Sequence, residues 1–313
     1  MVIIDMKNRV EYIDNTKGVL IFLVILGHCL NGENYLKNII YSFHMPAFFI
    51  VSGILLNYFS AVRKSFAGFL LSRIRQLVIP YIIFEFLGYI VQCFTRGFYE
   101  NINGFIFRTI TFQVHTDVDW FLIALLFGEI LFYFAQKDKY ISIITAVLSF
   151  ILAYFVPIRF LKWILAAFVY LIMGYYGISF FQKSRKWMIP CAVVIVLIAS
   201  YFNVRVDINN GVFGNPLLYV LGAVFGTYLV ITLCQCKLPL KSIWSFLGKN
   251  SLIVMGTHTL LIQILWYKIF TGRIPNWIAS CCMFIIIMIC EVIVILTYNK
   301  LKLLVQLIAR NNH

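Results

Sequence analysis

Two histidines and a serine lie in apolar segments near the start of the chain. His28 stands near the end of the apolar run 18–32, and His44 and Ser52 share one face of the next run. The loop between the two runs is short, so these groups are expected at one depth. An imidazole beside a hydroxyl can take up or release a proton. The pattern therefore predicts an acid–base site formed by His28, His44 and Ser52.

Other interpretations of the two histidines stay open at this point. Imidazoles also bind metal ions, but no carboxylate or cysteine joins His28 and His44 at ligand spacing, so we predict no metal site. His28 by itself also fits a histidine that hydrogen-bonds to a neighbouring helix or lies at the outer membrane interface. The eight cysteines form no disulfide framework.

A charged pair precedes His28 on the same helical face. At 100° per residue, Lys17 lies about 20° and Asp14 about 40° from His28 around the helix axis. Fourteen residues of helix rise about 21 Å, so Asp14 and His28 cannot touch. One face of the first helix is thus predicted to carry Asp14 and Lys17 at one end and His28 at the other. His28 is expected deep in the membrane or towards its outer surface.

Two arginines stand immediately before the third apolar run, in the sequence "RIRQLVIPY". Arg73 and Arg75 fit cations that anchor a helix at the cytoplasmic side of a membrane. They also fit guanidinium groups that bind phosphate through two hydrogen bonds. Spacing alone favours the anchoring role.

Weaker candidates lie near two later helix starts. Asp119 and Trp120 open the fourth apolar run, where an acid suits a helix N-cap and a tryptophan suits the membrane interface; ligand contact is the alternative. His258 fits ligand contact or a structural hydrogen bond. Three acids within apolar runs are expected to face the protein interior: Glu85, Glu129 and Glu291.

The elements that must position these residues are membrane helices. Of the 313 residues 62% are hydrophobic and only 12% are charged, and the mean hydropathy is +0.91, which is typical of a polytopic membrane protein. We predict a single all-α domain over residues 1–313. Its ten predicted transmembrane helices are 15–31, 38–57, 76–96, 118–136, 140–157, 161–181, 187–204, 215–235, 250–271 and 277–298.

The net charge of +14 is explained by topology. Alternate loops carry about 17 basic residues on one side and about 8 on the other, and the richer side is cytoplasmic under the positive-inside rule. Both termini are then predicted to be cytoplasmic. The basic residues form no face interleaved with aromatic residues, so nucleic-acid binding is not predicted.

The order and spacing of five sequence pieces resemble the membrane acyltransferase-3 family, particularly its fucose 4-O-acetylase-like members. The pieces are "RVEYIDNTKGVLIFLVILGHC", "IIYSFHMPAFFIVSGILL", "RIRQLVIPY", "WFLIALL" and "FLGKNSLIVMGTH". The resemblance covers nearly the whole chain and is consistent with ten helices. It implies transfer of an acyl group, usually acetyl from acetyl-CoA, to a hydroxyl of a cell-surface carbohydrate or its lipid-linked precursor. The implied location is the plasma membrane, in contact with lipid.

The resemblance also implies roles for particular residues. His28 is the expected base, and His44 or Ser52 is expected to position the acceptor or to donate a hydrogen bond to the developing oxyanion. The expected acyl-CoA ligands are Lys17, Arg73 and Arg75, with Arg9 as an alternative to Lys17. Acceptor-binding or structural roles are expected for Asp14, Asp119, Trp120 and His258. No bound cofactor is expected, because acyl-CoA is a co-substrate.

Two other function classes fit a bundle with inward-facing histidines and acids. One is a transporter or flippase with an intramembrane proton relay, although the sequence shows neither paired halves nor matching broken helices. The other is a non-catalytic membrane subunit, in which His28 would be dispensable. An acyltransferase needs both a base and a phosphate anchor, whereas a transporter has no reason to bind CoA.

Overall fold

A computed structural model describes residues 6–30, 32, 34–59, 65–96, 102–112, 119–236, 239–269 and 276–311. These residues contain an isolated β-bridge between Asp207 and Val212 but no strand. A π-helical turn, Ile74–Val78, joins the fourth and fifth helices. The helices of the described chain are α1 (Met6–Cys29), α2 (Tyr35–Tyr41), α3 (His44–Tyr58), α4 (Phe66–Arg73), α5 (Ile79–Arg96), α6 (Ile102–Ile110), α7 (Trp120–Ala135), α8 (Lys139–Phe155), α9 (Arg159–Tyr176), α10 (Ile178–Gln182), α11 (Met188–Phe202), α12 (Pro216–Gln235), α13 (Lys241–Lys249), α14 (Ser251–Ile269) and α15 (Asn276–Asn311).

The all-helical membrane architecture predicted from composition is confirmed. Six helical segments in the described chain are long and apolar enough to cross a membrane: Glu11–Cys29, Tyr35–Tyr58, Phe66–Thr95, Arg159–Tyr176, Pro216–Gln235 and Trp277–Leu307. Four shorter apolar helices are Trp120–Ala135, Lys139–Phe155, Met188–Phe202 and Ser251–Leu265. Each predicted helix overlaps one of these ten segments, although several boundaries differ and the predicted helix 38–57 is broken at Ser42 and Phe43. The number of spans and the cytoplasmic termini stay predictions.

A break between α2 and α3 sets the orientation of His44. Pro46 has no N–H to donate to the carbonyl of Ser42, so α2 cannot continue through this point, and Ser42 and Phe43 form a turn. Helix α3 then begins at His44, and Pro46 falls in its first turn, where its missing N–H costs no helical hydrogen bond. The imidazole of His44 consequently lies at the N-terminal end of a buried helix.

The third predicted span begins earlier than the sequence indicated. We predicted a start at residue 76, with Arg73 and Arg75 before the helix, but the helical segment begins at Phe66 and includes both arginines. An apolar window excludes cations even where the helix continues into polar surroundings, so it places the boundary too late. In the π turn, Ile79 donates its N–H to Ile74, five residues back, next to Pro80, which has no N–H.

Helix α3 packs closely against α9 through small residues. A Cβ at Gly53 would lie 2.2 Å from the carbonyl oxygen of Leu171, and one at Gly174 would lie 2.0 Å from that of Ile50. Small residues permit such close approach of helix backbones in membranes. This reciprocal contact fixes α3, which carries both His44 and Ser52.

Candidate functional site

Two cavities lie at different levels along α1 and α3. The larger, about 740 Å³, is lined by Lys17, Arg73, Arg75 and Ser52 among others, and we call it the cation cavity. The smaller, about 230 Å³, is lined by residues that include His28 and His44, and we call it the histidine cavity. The predicted phosphate ligands thus share one cavity, and the two predicted acid–base histidines share the other.

Two of the cations in the cation cavity are paired with acids. Lys17 forms an ion pair with Asp14 at 3.1 Å, one helical turn away, which confirms that they share a face. Arg73 Nε lies 3.2 Å from Glu129 Oε2, and its Nη1 donates to Gln76 Oε1. Such pairing offsets part of the cost of removing a charge from water.

Arg75 is the exposed cation of this cavity. Exposure leaves its planar guanidinium accessible to an oxyanion. Arg9, the alternative to Lys17, has a side chain outside the described part of the structure. The cation that α1 contributes to the described cavity is Lys17.

Helix α1 is held against the short helix α13 at the level of Lys17. A Cβ at Gly18 would lie 2.0 Å from the carbonyl oxygen of Trp244, and a Cβ at Gly248 would lie 1.7 Å from that of Asp14. The two backbones approach this closely because both contact positions are glycine. The packing therefore fixes the turn of α1 that carries the Asp14–Lys17 pair.

The histidine cavity brings together side chains from α1, α2 and α3. Tyr41 lies between the two imidazoles, with ring centroids 6.2 Å from His28 and 4.8 Å from His44. His44 Nδ1 donates to the carbonyl oxygen of Ile40 at 2.9 Å, because a carbonyl can only accept. The Nε2 of a neutral His44 is consequently a hydrogen-bond acceptor. His28 is partly buried and lines the cavity.

The rim of the histidine cavity comes from residues that we did not predict. Lys37, Arg205, Asp207, Asn209 and Asn210 contribute to its lining. Most belong to the loop between α11 and α12, whose polar residues follow no helical or strand period. Their position next to a histidine pair follows only from tertiary packing.

This loop is tied to helix α9. Lys162 Nζ donates to the carbonyl oxygen of Gly211 at 3.0 Å, and Trp163 Nε1 donates to that of Asn209 at 2.9 Å. Trp163 also packs against Trp120, with ring centroids 5.8 Å apart. The loop is thus fixed over the cavity that contains His28.

Three sequence predictions need correction. Ser52 does not join the histidines but lines the cation cavity, because eight residues of helix separate it from His44 by about 12 Å. Asp119 occupies the N-cap of α7, but its side chain makes no capping hydrogen bond and is buried. Trp120 is only 3% exposed and lines the histidine cavity, so it is not an interfacial anchor.

The inward orientation predicted for three acids is confirmed, since Glu85, Glu129 and Glu291 are all buried. Glu129 pairs with Arg73, whereas both carboxylate oxygens of Glu291 accept from the hydroxyl of Thr257 at 2.9 Å. In the described ranges, no group of three or more His, Cys, Asp or Glu side chains is arranged to hold a metal ion.

A comparison with protein families identifies the family of this chain. The family model for the acyltransferase domain Acyl_transf_3 matches residues 10–296, which is most of the chain. The protein belongs to the acyltransferase-3 family. Neither the curated proteins nor the solved structures contain a significant match to it. Acyl transfer is therefore the general chemistry of this acyltransferase-3 domain, and the fucose 4-O-acetylase-like specificity stays a prediction.

Proposed function

We propose that the protein transfers an acyl group, normally acetyl from cytosolic acetyl-CoA, to a hydroxyl of a cell-surface carbohydrate or its lipid-linked precursor. The observation that carries the proposal is the separation of two cavities along the same helices. One is lined by Lys17, Arg73 and Arg75, and the other by His28 and His44. A polyanionic donor and a hydroxyl acceptor need these two different environments.

The cation cavity is suited to the donor. The phosphate groups of CoA are all anionic, and charge-assisted bonds from arginine and lysine are about twice as strong as neutral ones. Arg75 supplies an exposed guanidinium, while Arg73 is fixed by Glu129 in the cavity wall. The apolar residues Phe48, Leu125 and Met255 line the same cavity and can contact the non-ionic arm of CoA.

The histidine cavity is suited to the chemical step. His28 removes the proton of an acceptor hydroxyl while that oxygen attacks the thioester carbonyl carbon. The new carbon–oxygen bond forms, the carbon–sulfur bond breaks, and the imidazolium of His28 returns the proton to the CoA thiolate. Atoms and charge therefore balance without a metal or a bound cofactor.

His44 has a narrower role in this proposal than the sequence indicated. Its Nδ1–H is already donated to Ile40, so neutral His44 has no second N–H for a developing oxyanion. Its Nε2 can accept a hydrogen bond from the acceptor substrate. We therefore assign His44 to positioning a carbohydrate hydroxyl next to His28.

The two cavities also give the reaction a direction. Lys17 and His28 are separated by eleven residues of α1, which is about 16 Å of helix. The cation cavity lies at the end that the positive-inside rule assigns to the cytoplasm. We propose that acyl-CoA enters from that side and the carbohydrate approaches from the opposite side of the plasma membrane.

Labelled acetyl transfer in proteoliposomes tests the proposal. Purified protein is reconstituted, radiolabelled acetyl-CoA is supplied on one side, and a panel of glycans and lipid-linked sugars is supplied on the other. We expect label on a carbohydrate hydroxyl with the wild type and its loss in His28→Ala. Leu26→Ala is the matched control, since Leu26 is partly buried in α1 and lines neither cavity.

Three results would contradict the proposal. Absence of transfer by the wild type across the panel, together with uptake of one of the sugars, would favour the transporter. Transfer that survives in His28→Ala would remove His28 as the base. Label that reaches carbohydrate only when both substrates are on one side would exclude transfer across the membrane.

A further inference from the structure

A third histidine, His258, lies next to His28 but does not line the histidine cavity. It belongs to α14 and is fully buried, and the imidazole ring centroids of His28 and His258 are 5.2 Å apart with planes inclined by 64°. This is an edge-to-face arrangement of two rings in contact. His28 therefore lines the cavity and also contacts His258.

The hydrogen bonding of His258 fixes which of its nitrogens can act. Nδ1 donates to the carbonyl oxygen of Val254 at 2.8 Å, so the proton of the neutral ring is on Nδ1. Its Nε2 is buried and has no hydrogen-bond partner among the described residues. A buried acceptor without a partner is costly and calls for an explanation.

We propose that His258 is a positioning residue for His28. In the loaded enzyme, His258 Nε2 accepts the N–H of one ring nitrogen of His28, so the other nitrogen presents its lone pair to the acceptor hydroxyl. The inference rests on the proposed function, in which His28 is the base. Catalytic hydrogen bonds are often long in unliganded enzymes and tighten when substrates bind.

A neutral imidazole suits this role in a membrane interior. In soluble hydrolases a buried aspartate holds the catalytic histidine in the correct tautomer, but an isolated carboxylate in a bilayer is expensive. His258 offers a lone pair without a net charge. The same lone pair also stabilises the positive charge that His28 carries as an imidazolium during the reaction.

The surroundings of His258 hold α14 firmly. The neighbouring Thr257 donates to Glu291 of α15 at 2.9 Å. On the other side, a Cβ at Gly256 would lie 2.4 Å from ring atoms of Phe84 in α5. Contacts on both sides reduce the freedom of the helix turn that presents Nε2, as a positioning role requires.

Two amide substitutions separate a positioning role from a structural one. In His258→Asn the amide stands near the position of Nδ1 and keeps the contact with Val254, but the acceptor at Nε2 is lost. In His258→Gln the amide reaches the position of Nε2. We expect His258→Asn to lower kcat at least tenfold, roughly, with the KM for acyl-CoA unchanged, and His258→Gln to recover most of the rate.

A double variant gives an independent readout. If His258 acts through His28, adding His258→Asn to His28→Ala lowers the residual rate no further, because the two residues work as one unit. A full additional tenfold loss would overturn the proposal. So would a His258→Asn enzyme with wild-type kcat, while a wild type without any transfer would overturn the proposed function itself.

Nitrogen-15 NMR of histidine-labelled wild type tests the same bond without a substitution. We expect the Nε2 signal of His258 to move into the range of a hydrogen-bonded acceptor when a CoA thioester and a carbohydrate acceptor are both added. A signal that stays at its unliganded position under saturating substrates would overturn the proposal, even if the His258 variants fail to fold.

Discussion

The cation cavity and the histidine cavity differ in electrostatic character, although both lie along α1 and α3. Two cations of the first are paired, Lys17 with Asp14 and Arg73 with Glu129, and that cavity is about three times larger in volume. In the second, the groups closest to the proposed chemistry are imidazoles, which can be buried without charge. The proposed donor site is lined by Lys17, Arg73 and Arg75, whereas the proposed site of proton transfer combines neutral imidazoles with charged residues at its rim.

The difference teaches how a membrane enzyme can divide binding from chemistry. A buried charge needs a partner, and the partner weakens its attraction for other ions. A neutral histidine carries no net charge and needs no counter-ion, and His44 donates its one N–H to the carbonyl oxygen of Ile40. Substitutions in the two cavities should therefore change different kinetic constants, which gives ways to test the comparison.

The largest effect is expected at His28. Loss of a general base typically costs about 10²- to 10⁴-fold in rate, so His28→Ala should lower kcat by that range with little change in the KM for acyl-CoA. Steady-state kinetics with varied acyl-CoA measures both constants. A KM that rises while kcat is kept would place His28 in donor binding and remove the division between the cavities.

Arg75→Ala should have the next largest effect and the opposite signature. One charge-assisted hydrogen bond contributes about 1.5–3 kcal/mol, so the KM for acyl-CoA should rise about tenfold to a hundredfold while kcat changes little. Lys302→Ala is the control, because Lys302 is an exposed cation of α15 outside the cavity. Equal effects of the two variants would mean that only the overall surface charge matters.

Glu129→Gln should sharpen the comparison within the cation cavity. The change leaves Arg73 without its acidic partner, at a cost of about 1–3 kcal/mol in stability. We expect a lower midpoint of thermal unfolding, measured on the protein in detergent micelles, and a moderately higher KM for acyl-CoA in steady-state kinetics. Glu291→Gln is the matched control, because Glu291 is also buried but accepts a hydrogen bond from Thr257 and does not pair with Arg73. If both variants raised the KM for acyl-CoA equally, donor binding would not depend on the pairing of Arg73 with Glu129.

The smallest effect is expected at Ser52. If its hydroxyl contacts the donor, Ser52→Ala should raise the KM for acyl-CoA about two- to tenfold, the worth of one neutral hydrogen bond of about 0.5–1.5 kcal/mol. The turnover number should stay near that of the wild type. A loss of kcat without a change in KM would mean that Ser52 acts in the chemical step with His28 and His44, and that the two cavities do not separate binding from chemistry.

Residues close in sequence were easier to predict than residues that tertiary packing brings together. The shared face of Asp14 and Lys17 follows from helical geometry, and the two side chains form an ion pair. The contact between His28 and His258 joins α1 to α14 and has no local periodicity. The same holds for Arg205 and Asp207 at the rim of the histidine cavity.

The prediction was wrong where side chains on one face of a helix lie at different depths along the helix axis. Ser52 shares a face with His44, so the sequence assigned them to one site, but the rise along α3 places them in different cavities. Likewise, the apolar pattern placed Arg73 outside a helix that in fact contains it. Periodicity reports which face a residue occupies and does not report its neighbours at that depth.

By itself the sequence determined the membrane class, the positions of the apolar helices and the acyltransferase-3 motifs, because hydropathy and helical period are local properties. Tertiary structure decided that Glu129 forms an ion pair with Arg73 and that the ring of His258 contacts the ring of His28. It also decided that the three predicted phosphate ligands line one cavity and that His28 and His44 line another. These are contacts between distant helices, and they depend on which helices pack together and at what depth, which no local pattern encodes.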